Sequence, residues 1–315
     1  MNNTERFNLA ADSLGERLSA ILKKLDGNEK NTIREIRCRT DSPVIAVTSD
    51  GIKFFSSSGR LQSLYTATVI RTDKREIEEI FKRICAYSVH SFKDAINSGY
   101  VTVNGGHRAG VAGTAVTENG RIVAVKDISA INLRIAREVK GAANGIFENI
   151  RCGDFEPFIV AGPPSSGKTT VLRDFVRQAS GEDRGIYAKI AVCDERGEIG
   201  ASVMGVCQHE LGLNCDLLTS YPKAQAIEIA LRSFSPDIIV CDEIVSTDEV
   251  KAIESGINSG VCFAVSIHAK NEDELKSKKT VEELLSFGAF KKIILHSGRE
   301  AGKIERIFEA GDFIA

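Results

Sequence analysis

The chain has 315 residues, of which 43% are hydrophobic and 27% charged, and its formal net charge is −2 at pH 7. This composition excludes a disordered chain, and the length is sufficient for two domains with their own cores. The near-neutral balance predicts no general attraction to nucleic acid or anionic lipid. We find no run of about 18 apolar residues and no signal peptide, so we expect a cytoplasmic protein, peripheral at a membrane only where a partner protein holds it there.

The first part of the chain alternates between helical and strand patterns. Residues 1–30 predict a packing helix, and short strands separated by turn residues follow over residues 33–55. Residues 73–86 return to a helical period, and strand-like runs on both sides of the Asn-Gly-Gly turn at 104–106 predict a β-hairpin. We therefore predict a smaller α+β domain over residues 1–142.

His107 and three arginines are the polar candidates of this first domain. Arg108 follows the glycines of the predicted hairpin turn, and Arg134 and Arg137 lie in the segment INLRIARE. Composition alone does not separate a functional role from an ordinary solvated or ion-paired arginine.

A phosphate-binding loop follows a glycine-rich stretch, residues 140–157, that we interpret as a linker. The spacing G-x-x-x-x-G-K-T comes directly after the apolar run Phe158–Ala161 and before residues of helical spacing. Such a loop wraps backbone N–H groups around nucleotide phosphates, while its lysine reaches the terminal phosphates and its threonine offers a hydroxyl to Mg²⁺. The predicted nucleotide-binding residues are Gly162, Pro163, Pro164, Ser165, Ser166, Gly167, Lys168, Thr169 and Thr170.

Further apolar runs alternate with helical stretches beyond this loop. The runs at residues 190–193, 238–241, 262–266 and 292–296 read as buried strands. Strands that alternate with helices predict a mostly parallel sheet covered on both faces, with ligands at the carboxyl ends of its strands. We therefore predict an α/β fold for residues 143–315.

Acidic residues follow two of these predicted strands. Asp242 and Glu243 come directly after the run IIVC, where an aspartate can hold Mg²⁺ and a glutamate can orient and deprotonate a water molecule. Asp194, Glu195 and Glu198 follow another strand, which predicts at least one carboxylate near the nucleotide or the metal. The alternative for this second group is a solvated acidic turn.

A histidine follows the next predicted strand. His268 lies in the segment AVSIHAKN, at the end of the sheet where the phosphate loop is expected. We expect its side chain to contact the γ-phosphate or to transmit the loss of that phosphate to the rest of the protein.

The order of these motifs resembles one family over nearly the whole chain. The phosphate loop and the segments after it are similar to the RecA-like ATPases of type II and type IV secretion systems. More closely, the chain resembles the stage III sporulation protein AA family through the segments REIRCR, NGGHRAGVAGTAV, INLRIARE, GPPSSGKTTVLRDFVR, VCDERGEI, YPKAQAIEIALRSFSPDIIVCDEI and SIHAKN. The resemblance implies a RecA-like P-loop core over residues 143–315 that hydrolyses ATP with Mg²⁺.

The resemblance also implies roles for individual residues. By position, Lys168 and Thr169 bind phosphate and Mg²⁺. Asp242 binds Mg²⁺ and Glu243 is the catalytic base. The family's acidic box corresponds to Glu195, and its histidine box corresponds to His268. Arginines of the N-terminal domain reach the nucleotide in the secretion ATPases, often across a subunit boundary, and the matching candidates are Arg108, Arg134 and Arg137.

The partners implied by the resemblance are other copies of the chain and membrane proteins. The family implies a homo-oligomeric ring, a hexamer, that acts with membrane-embedded sporulation channel proteins between mother cell and forespore. Nucleic acid is not an expected partner, because the chain has no Trp, five Tyr and no basic excess.

The chain departs from the family pattern at several positions. Ser165 stands where the family has glycine, and Val245 follows the DEI segment where glycine is usual. Asn214, Cys215 and Asp216 replace an arginine-threonine-aspartate run, so the rate of turnover is open. Three alternatives to a secretion-type ATPase stay open. RecA-like cores also drive nucleic-acid translocases, and small-molecule kinases use the same phosphate loop. The missing arginine motivates the third, an ATP-gated scaffold with little turnover.

Overall fold

The computed structural model describes residues 1–149, 155–297 and 303–313. The chain divides into two compact units, the first of Met1–Glu138 with Ala201–Gln208, and the second of Val139–Gly200 with His209–Ala315. The segment Ala201–Gln208 thus groups with the first unit although it lies far beyond the boundary predicted at residue 142. Among the described residues no helix is long and apolar enough to cross a membrane.

The first unit combines an antiparallel sheet with short helices. Its helices are α1 (Asn3–Asp12), α2 (Glu16–Leu22), α3 (Gly27–Thr32), α4 (Lys74–Ile84) and α5 (Lys93–Asn97), with a 3₁₀ turn at Val89–Phe92. Its strands are β1 (Ile33–Arg39), β2 (Ser42–Pro43), β3 (Ile45–Thr48), β4 (Gly51–Phe55), β5 (Leu61–Gln62), β6 (Arg71–Thr72), β7 (Tyr100–Val103), β8 (His107–Glu118) and β9 (Arg121–Arg134). The main sheet has the order β5-β4-β3-β1-β9-β8-β7, and β2 pairs with β6 beside it.

Helix ends in this unit follow from local sequence. Asp73 caps α4 by accepting a hydrogen bond from the N–H of Glu76, and the buried side chains of α4 repeat at helical spacing. The first thirty residues form three helices, not the single predicted helix. Gly15, with φ of 87°, lies outside the helical region before α2, and Asp26 caps a new helix, α3.

The second unit is the predicted α/β unit. Its helices are α6 (Asn144–Asn149), α7 (Lys168–Ala179), α8 (Lys223–Ser233), α9 (Thr247–Asn258), α10 (Glu272–Lys276) and α11 (Lys279–Ser286), with 3₁₀ turns at Glu182–Arg184 and Ala310–Asp312. Its strands are β10 (Phe158–Gly162), β11 (Ile190–Asp194), β12 (Cys215–Thr219), β13 (Ile238–Cys241), β14 (Cys262–His268), β15 (Lys292–His296) and β16 (Ile304–Glu309).

The sheet of the second unit has the order β12-β11-β13-β14-β10-β15-β16. Its strands run parallel except β16, which pairs antiparallel with β15. Alternate residues of β10 enter two different cores, with Phe158 and Val160 in one and Ile159 and Ala161 in the other. Burial on both faces confirms the predicted parallel sheet and explains why its strands are continuous apolar runs.

The predicted linker contains structure in its first part. Ala143, Ile146 and Phe147 are buried in the core of the second unit, and the Phe147 ring stacks on Phe175 of α7. Residues 150–154 of the stretch lie outside the described residues.

Candidate active site

The phosphate loop joins β10 to α7 at the carboxyl edge of the parallel sheet. Ser165 and Gly167 adopt φ of 62° and 91°, in the left-handed region that such a loop requires. A Cβ at Gly162 would lie 2.6 Å from Ser166 Oγ and 3.2 Å from His296 Cβ, so the start of the loop has no space for a side chain. The loop is therefore built around glycine where the backbone turns away from the strand.

The first turn of α7 presents its backbone to the loop. Gly167 is the N-cap residue, and no side chain caps the helix. The unpaired N–H groups and the positive end of the helix dipole favour an anion at this point. Ser166 Oγ is buried and has no hydrogen-bond partner. A buried hydroxyl without a partner, beside an uncapped helix, fits a ligand that carries phosphate oxygens.

Lys168 is buried beside this loop. Its Nζ donates to the carbonyl oxygens of Gly162 and Pro163, each at 2.9 Å, and lies 3.0 Å from Nδ1 of His268. Burial lowers the pKa of Lys168, and the nearby carboxylates, those of Asp242 and Glu243 foremost, act in the opposite direction. An ammonium group held by loop carbonyls is in position to exchange them for stronger phosphate acceptors.

Asp242 contacts the phosphate loop through Thr169. The Oγ1 of Thr169 donates to Oδ2 of Asp242 at 2.5 Å, and the hydroxyl of Ser266 on β14 donates to the other carboxylate oxygen. The same Ser266 hydroxyl accepts a hydrogen bond of 2.9 Å from the N–H of Glu243. Because β14 lies between β13 and β10 in the sheet, its serine is placed to link the acidic pair to the phosphate loop.

The side chains of Thr169 and Asp242 also fit a magnesium ion. A hydroxyl and a carboxylate oxygen are hard ligands, and Mg²⁺ in nucleotide sites is held by one or two such groups together with phosphate oxygens. Among the described residues, no group of three or more His, Cys, Asp or Glu side chains is arranged to hold a metal on its own. The donor set at Thr169 and Asp242 fits an ion that also takes phosphate oxygens as ligands.

Glu243 is held on several sides. Its φ of 54° is unusual for a residue other than glycine, and the buried Lys223 donates to its carbonyl oxygen at 2.7 Å. One carboxylate oxygen, Oε1, lies 3.1 Å from Nε2 of His268, and the other accepts a hydrogen bond from Arg196. The backbone strain and these contacts fix the position of the acid beside Asp242.

His268 connects the phosphate-binding lysine to this acid. An ammonium group only donates, so Nδ1 of His268 accepts from Lys168 and the ring proton resides on Nε2, facing Glu243. The structure thus brings together Lys168, His268 and Glu243, three residues that the sequence placed at separate strand ends.

The acidic turn after β11 has two kinds of carboxylate. Asp194 is buried and accepts hydrogen bonds from the N–H groups of Glu198, Ile199 and Gly200 at 2.8 to 3.1 Å, so its side chain shapes the turn. Burial raises the pKa of Asp194, and these hydrogen bonds oppose the shift. Glu195 is half-exposed, lies 3.9 Å from Nζ of Lys223, and lines a cleft that Asp242 and Glu243 also line.

The three arginine candidates lie in the first unit. Arg134 lies 3.6 Å from the carboxylate of Glu35, and the Arg108 guanidinium lies 4.8 Å from the centre of the Tyr100 ring. Arg137 donates to the carbonyl oxygens of Ile33 and Lys30 at 2.5 and 3.3 Å, and burial lowers its pKa. Each arginine therefore has a partner within its own unit, and a role at the nucleotide stays a prediction.

Sequence reasoning missed several residues of this site. Ser266 donates to the carboxylate of Asp242, and Lys223 donates to the carbonyl oxygen of Glu243. Arg196 contacts the carboxylate of Glu243. A signal was present for two of them, because Ser266 stands two residues before His268 and Arg196 stands inside the acidic segment CDERGEI. His296, which belongs to none of the sequence motifs, lies against the first glycine of the phosphate loop.

A parallel sheet with a phosphate loop after one strand and an acidic pair after another defines the second unit as a P-loop nucleotide-binding fold of the RecA-like type. The chain belongs to the family described as sporulation stage III, protein AA, which it matches over residues 7–313. It is 29% identical over 305 residues to stage III sporulation protein AA of Bacillus subtilis (strain 168), covering 96% of this chain and 95% of that protein.

Two solved structures share the fold. The X-ray structure of the Legionella pneumophila ATPase DotB aligns with a TM-score of 0.51 and 17% identity over 84% of this chain and 72% of that chain. The pilus retraction motor PilT with bound ADP aligns with a TM-score of 0.50 and 17% identity over 84% of this chain and 74% of that one. At these identities the likeness supports the fold, as predicted from the motifs.

Proposed function

We propose that this chain is an Mg²⁺-dependent ATPase that converts ATP and water to ADP and phosphate. The observation that carries the proposal is the contact of 2.5 Å between Thr169 and Asp242, which joins the phosphate loop to the acidic end of β13. This contact puts Glu243, the next residue in the chain, on the same side of the sheet as Lys168. The arrangement has the parts that hydrolysis requires: a phosphate cradle, hard oxygen ligands and a carboxylate for the water.

Each residue has a distinct role in the proposed reaction. Lys168 and the first N–H groups of α7 would bind the phosphate oxygens, and Thr169 and Asp242 would hold Mg²⁺. When bound, Mg²⁺ neutralises part of the charge on the β- and γ-phosphates. Glu243 orients the attacking water and accepts its proton, while His268 keeps the carboxylate aligned through its contact of 3.1 Å. Glu195 lines the same cleft, where its carboxylate would orient water beside Asp242 and Glu243.

We propose further that the protein works as a homo-oligomeric ring in the cytoplasm. Membership of the sporulation family and the fold shared with DotB and PilT support a hexamer that energises a sporulation channel or secretion complex between mother cell and forespore. Contact with the membrane would run through proteins embedded in it. In such a ring Arg108, Arg134 or Arg137 completes the nucleotide site of a neighbouring copy.

Phosphate release from purified protein tests this function. The wild-type chain should release phosphate from ATP only with Mg²⁺, and Glu243→Gln should bind ATP but lose at least about 100-fold in turnover, because the amide no longer accepts a proton. Glu254→Gln, on the exposed face of α9, is the matched control and should keep normal turnover. Sedimentation of the same sample with and without ATP and Mg²⁺ tests assembly.

Other outcomes of this experiment identify other functions. ATPase activity that DNA stimulates and salt weakens would indicate a nucleic-acid translocase. Transfer of phosphate to an acceptor molecule without free phosphate would indicate a kinase. Tight ATP binding without turnover in the assembled wild-type protein would indicate an ATP-gated scaffold.

A further inference from the structure

The turn after β11 presents one arginine to the proposed catalytic acid. Residues Glu198 to Gly200 are held by three hydrogen bonds to the buried carboxylate of Asp194. From the other side, Arg173 of α7 donates to the carbonyl oxygens of Glu198 and Ile199 at 2.6 and 2.8 Å. The backbone of the turn is therefore fixed to both the sheet and the phosphate-loop helix, and Arg196 extends from this fixed base.

Both carboxylate oxygens of Glu243 are engaged in this arrangement. Oε1 contacts Nε2 of His268 at 3.1 Å, and Oε2 accepts from the guanidinium of Arg196. A carboxylate that orients a water and accepts its proton needs one of these oxygens for the water. His268 is also tied to Lys168 through its other ring nitrogen, at 3.0 Å. Arg196 is the more exposed partner, since its side chain is 63% exposed while that of Glu243 is 22% exposed.

We propose that Arg196 is a further catalytic residue of this site, which exchanges the carboxylate of Glu243 for the γ-phosphate of ATP. The inference rests on the ATPase function proposed above. Phosphate is a doubly charged acceptor that a guanidinium binds in bidentate geometry, so it competes effectively with the singly charged carboxylate of Glu243. The exchange has two effects. The positive charge stabilises the transferring phosphoryl group, and Oε2 of Glu243 becomes available to the attacking water.

This role makes Arg196 a sensor of the third phosphate. ADP lacks the γ-phosphate, so with ADP the guanidinium stays on Glu243 and the acid remains blocked. With ATP the same side chain adds a second positive charge to that of Lys168 at the phosphate. A single copy of the chain thus contains one arginine for its own nucleotide, independent of any arginine that a neighbouring copy supplies.

Three variants test the proposal: Arg196→Ala, Arg196→Lys and the matched control Arg232→Ala, which removes an exposed, ion-paired arginine of α8. For each we would measure kcat and KM for phosphate release and the affinity for fluorescent analogues of ATP and ADP. Arg196→Ala should lose about 100-fold or more in kcat and about tenfold in ATP affinity, with ADP affinity unchanged within about twofold. Arg196→Lys should keep part of the rate that Arg196→Ala loses. Free guanidinium added to Arg196→Ala should restore part of that rate. Arg232→Ala should resemble the wild type.

Unchanged or increased turnover in Arg196→Ala would overturn the proposal, and an increase would mean that Arg196 only blocks Glu243. Equal losses of ATP and ADP affinity would also overturn it, because the residue would then only support the turn. If the wild-type chain releases no phosphate, the ATPase function fails. The comparison of ATP with ADP affinity still decides the role of Arg196 in that case, since it requires no turnover.

Discussion

The hydroxyl of Thr169 donates to the carboxylate of Asp242, with 2.5 Å between Oγ1 and Oδ2. Both oxygens are suited to Mg²⁺, so Thr169→Val, which keeps the shape and removes the hydroxyl, should raise the Mg²⁺ concentration for half-maximal phosphate release by about tenfold or more. Thr169→Ser retains the oxygen and should stay close to the wild type. Identical Mg²⁺ titrations for Thr169→Val and wild type would remove Thr169 from the metal site.

Lys168 is the buried cation of the phosphate loop. Lys168→Ala removes this charge, so the affinity for ATP should fall by at least about tenfold, measured by calorimetry. Lys251→Ala, which removes an exposed lysine of α9, should bind ATP normally. Normal ATP binding by a folded Lys168→Ala protein would show that the nucleotide lies elsewhere.

Gly162 has no room for a side chain. In Gly162→Ala the new methyl group would meet Ser166 Oγ at 2.6 Å and His296 Cβ at 3.2 Å, so the free energy of unfolding should fall by about 1–3 kcal/mol and nucleotide binding should weaken. Gly311→Ala is the matched control, because nothing lies within 4 Å of its added Cβ and its φ is not in the left-handed region. Chemical denaturation measures both variants. Equal stability of the two would show that the loop adjusts freely.

His296 makes stability depend on pH. Burial, with a smaller effect from the charge of Lys168, lowers the pKa of His296 from 6.5 to about 4. The unfolded chain therefore binds a proton between pH 6.5 and 4 that the folded chain does not bind, so stability falls as the pH decreases through this window. The resulting decrease in the free energy of unfolding should approach about 3 kcal/mol at the low-pH end of this window.

Replacement of the histidine isolates this contribution. The free energy of unfolding of His296→Gln should vary less between pH 6.5 and 4 than that of the wild type, whereas His90→Gln, at an exposed position, should keep the wild-type slope. Parallel curves for the wild type and His296→Gln would contradict the buried, neutral state of His296.

The sequence predicted the buried strands of the second unit well, because residues packed on both faces of a parallel sheet must be apolar. It missed β12 and β16, the strands at the two edges of the sheet. Cys215–Thr219 contains an aspartate, and Ile304–Glu309 carries charged residues between its apolar ones, so neither segment is a continuous apolar run. An edge strand needs less burial and leaves a weaker pattern.

The motifs identified the main groups of the site but not how they are connected. The contact between Thr169 and Asp242 depends on strand order, which a single sequence does not contain. The same holds for Ser266, whose strand lies between β13 and β10. Within the acidic segment, the residue types did not reveal that Asp194 turns inward to hold the backbone while Arg196 reaches Glu243. Those directions follow from the turn geometry.

The segment Ala201–Gln208 limits how the protein can be dissected. It follows the Asp194-anchored turn directly, yet it groups with the first unit, where Gln208 Oε1 accepts a hydrogen bond of 2.8 Å from the N–H of Gly105. A fragment cut at residue 139 would retain these eight residues without the surface they pack on. Expression of the second unit alone would therefore require a designed replacement for Ala201–Gln208, because truncation at residue 139 does not remove this segment.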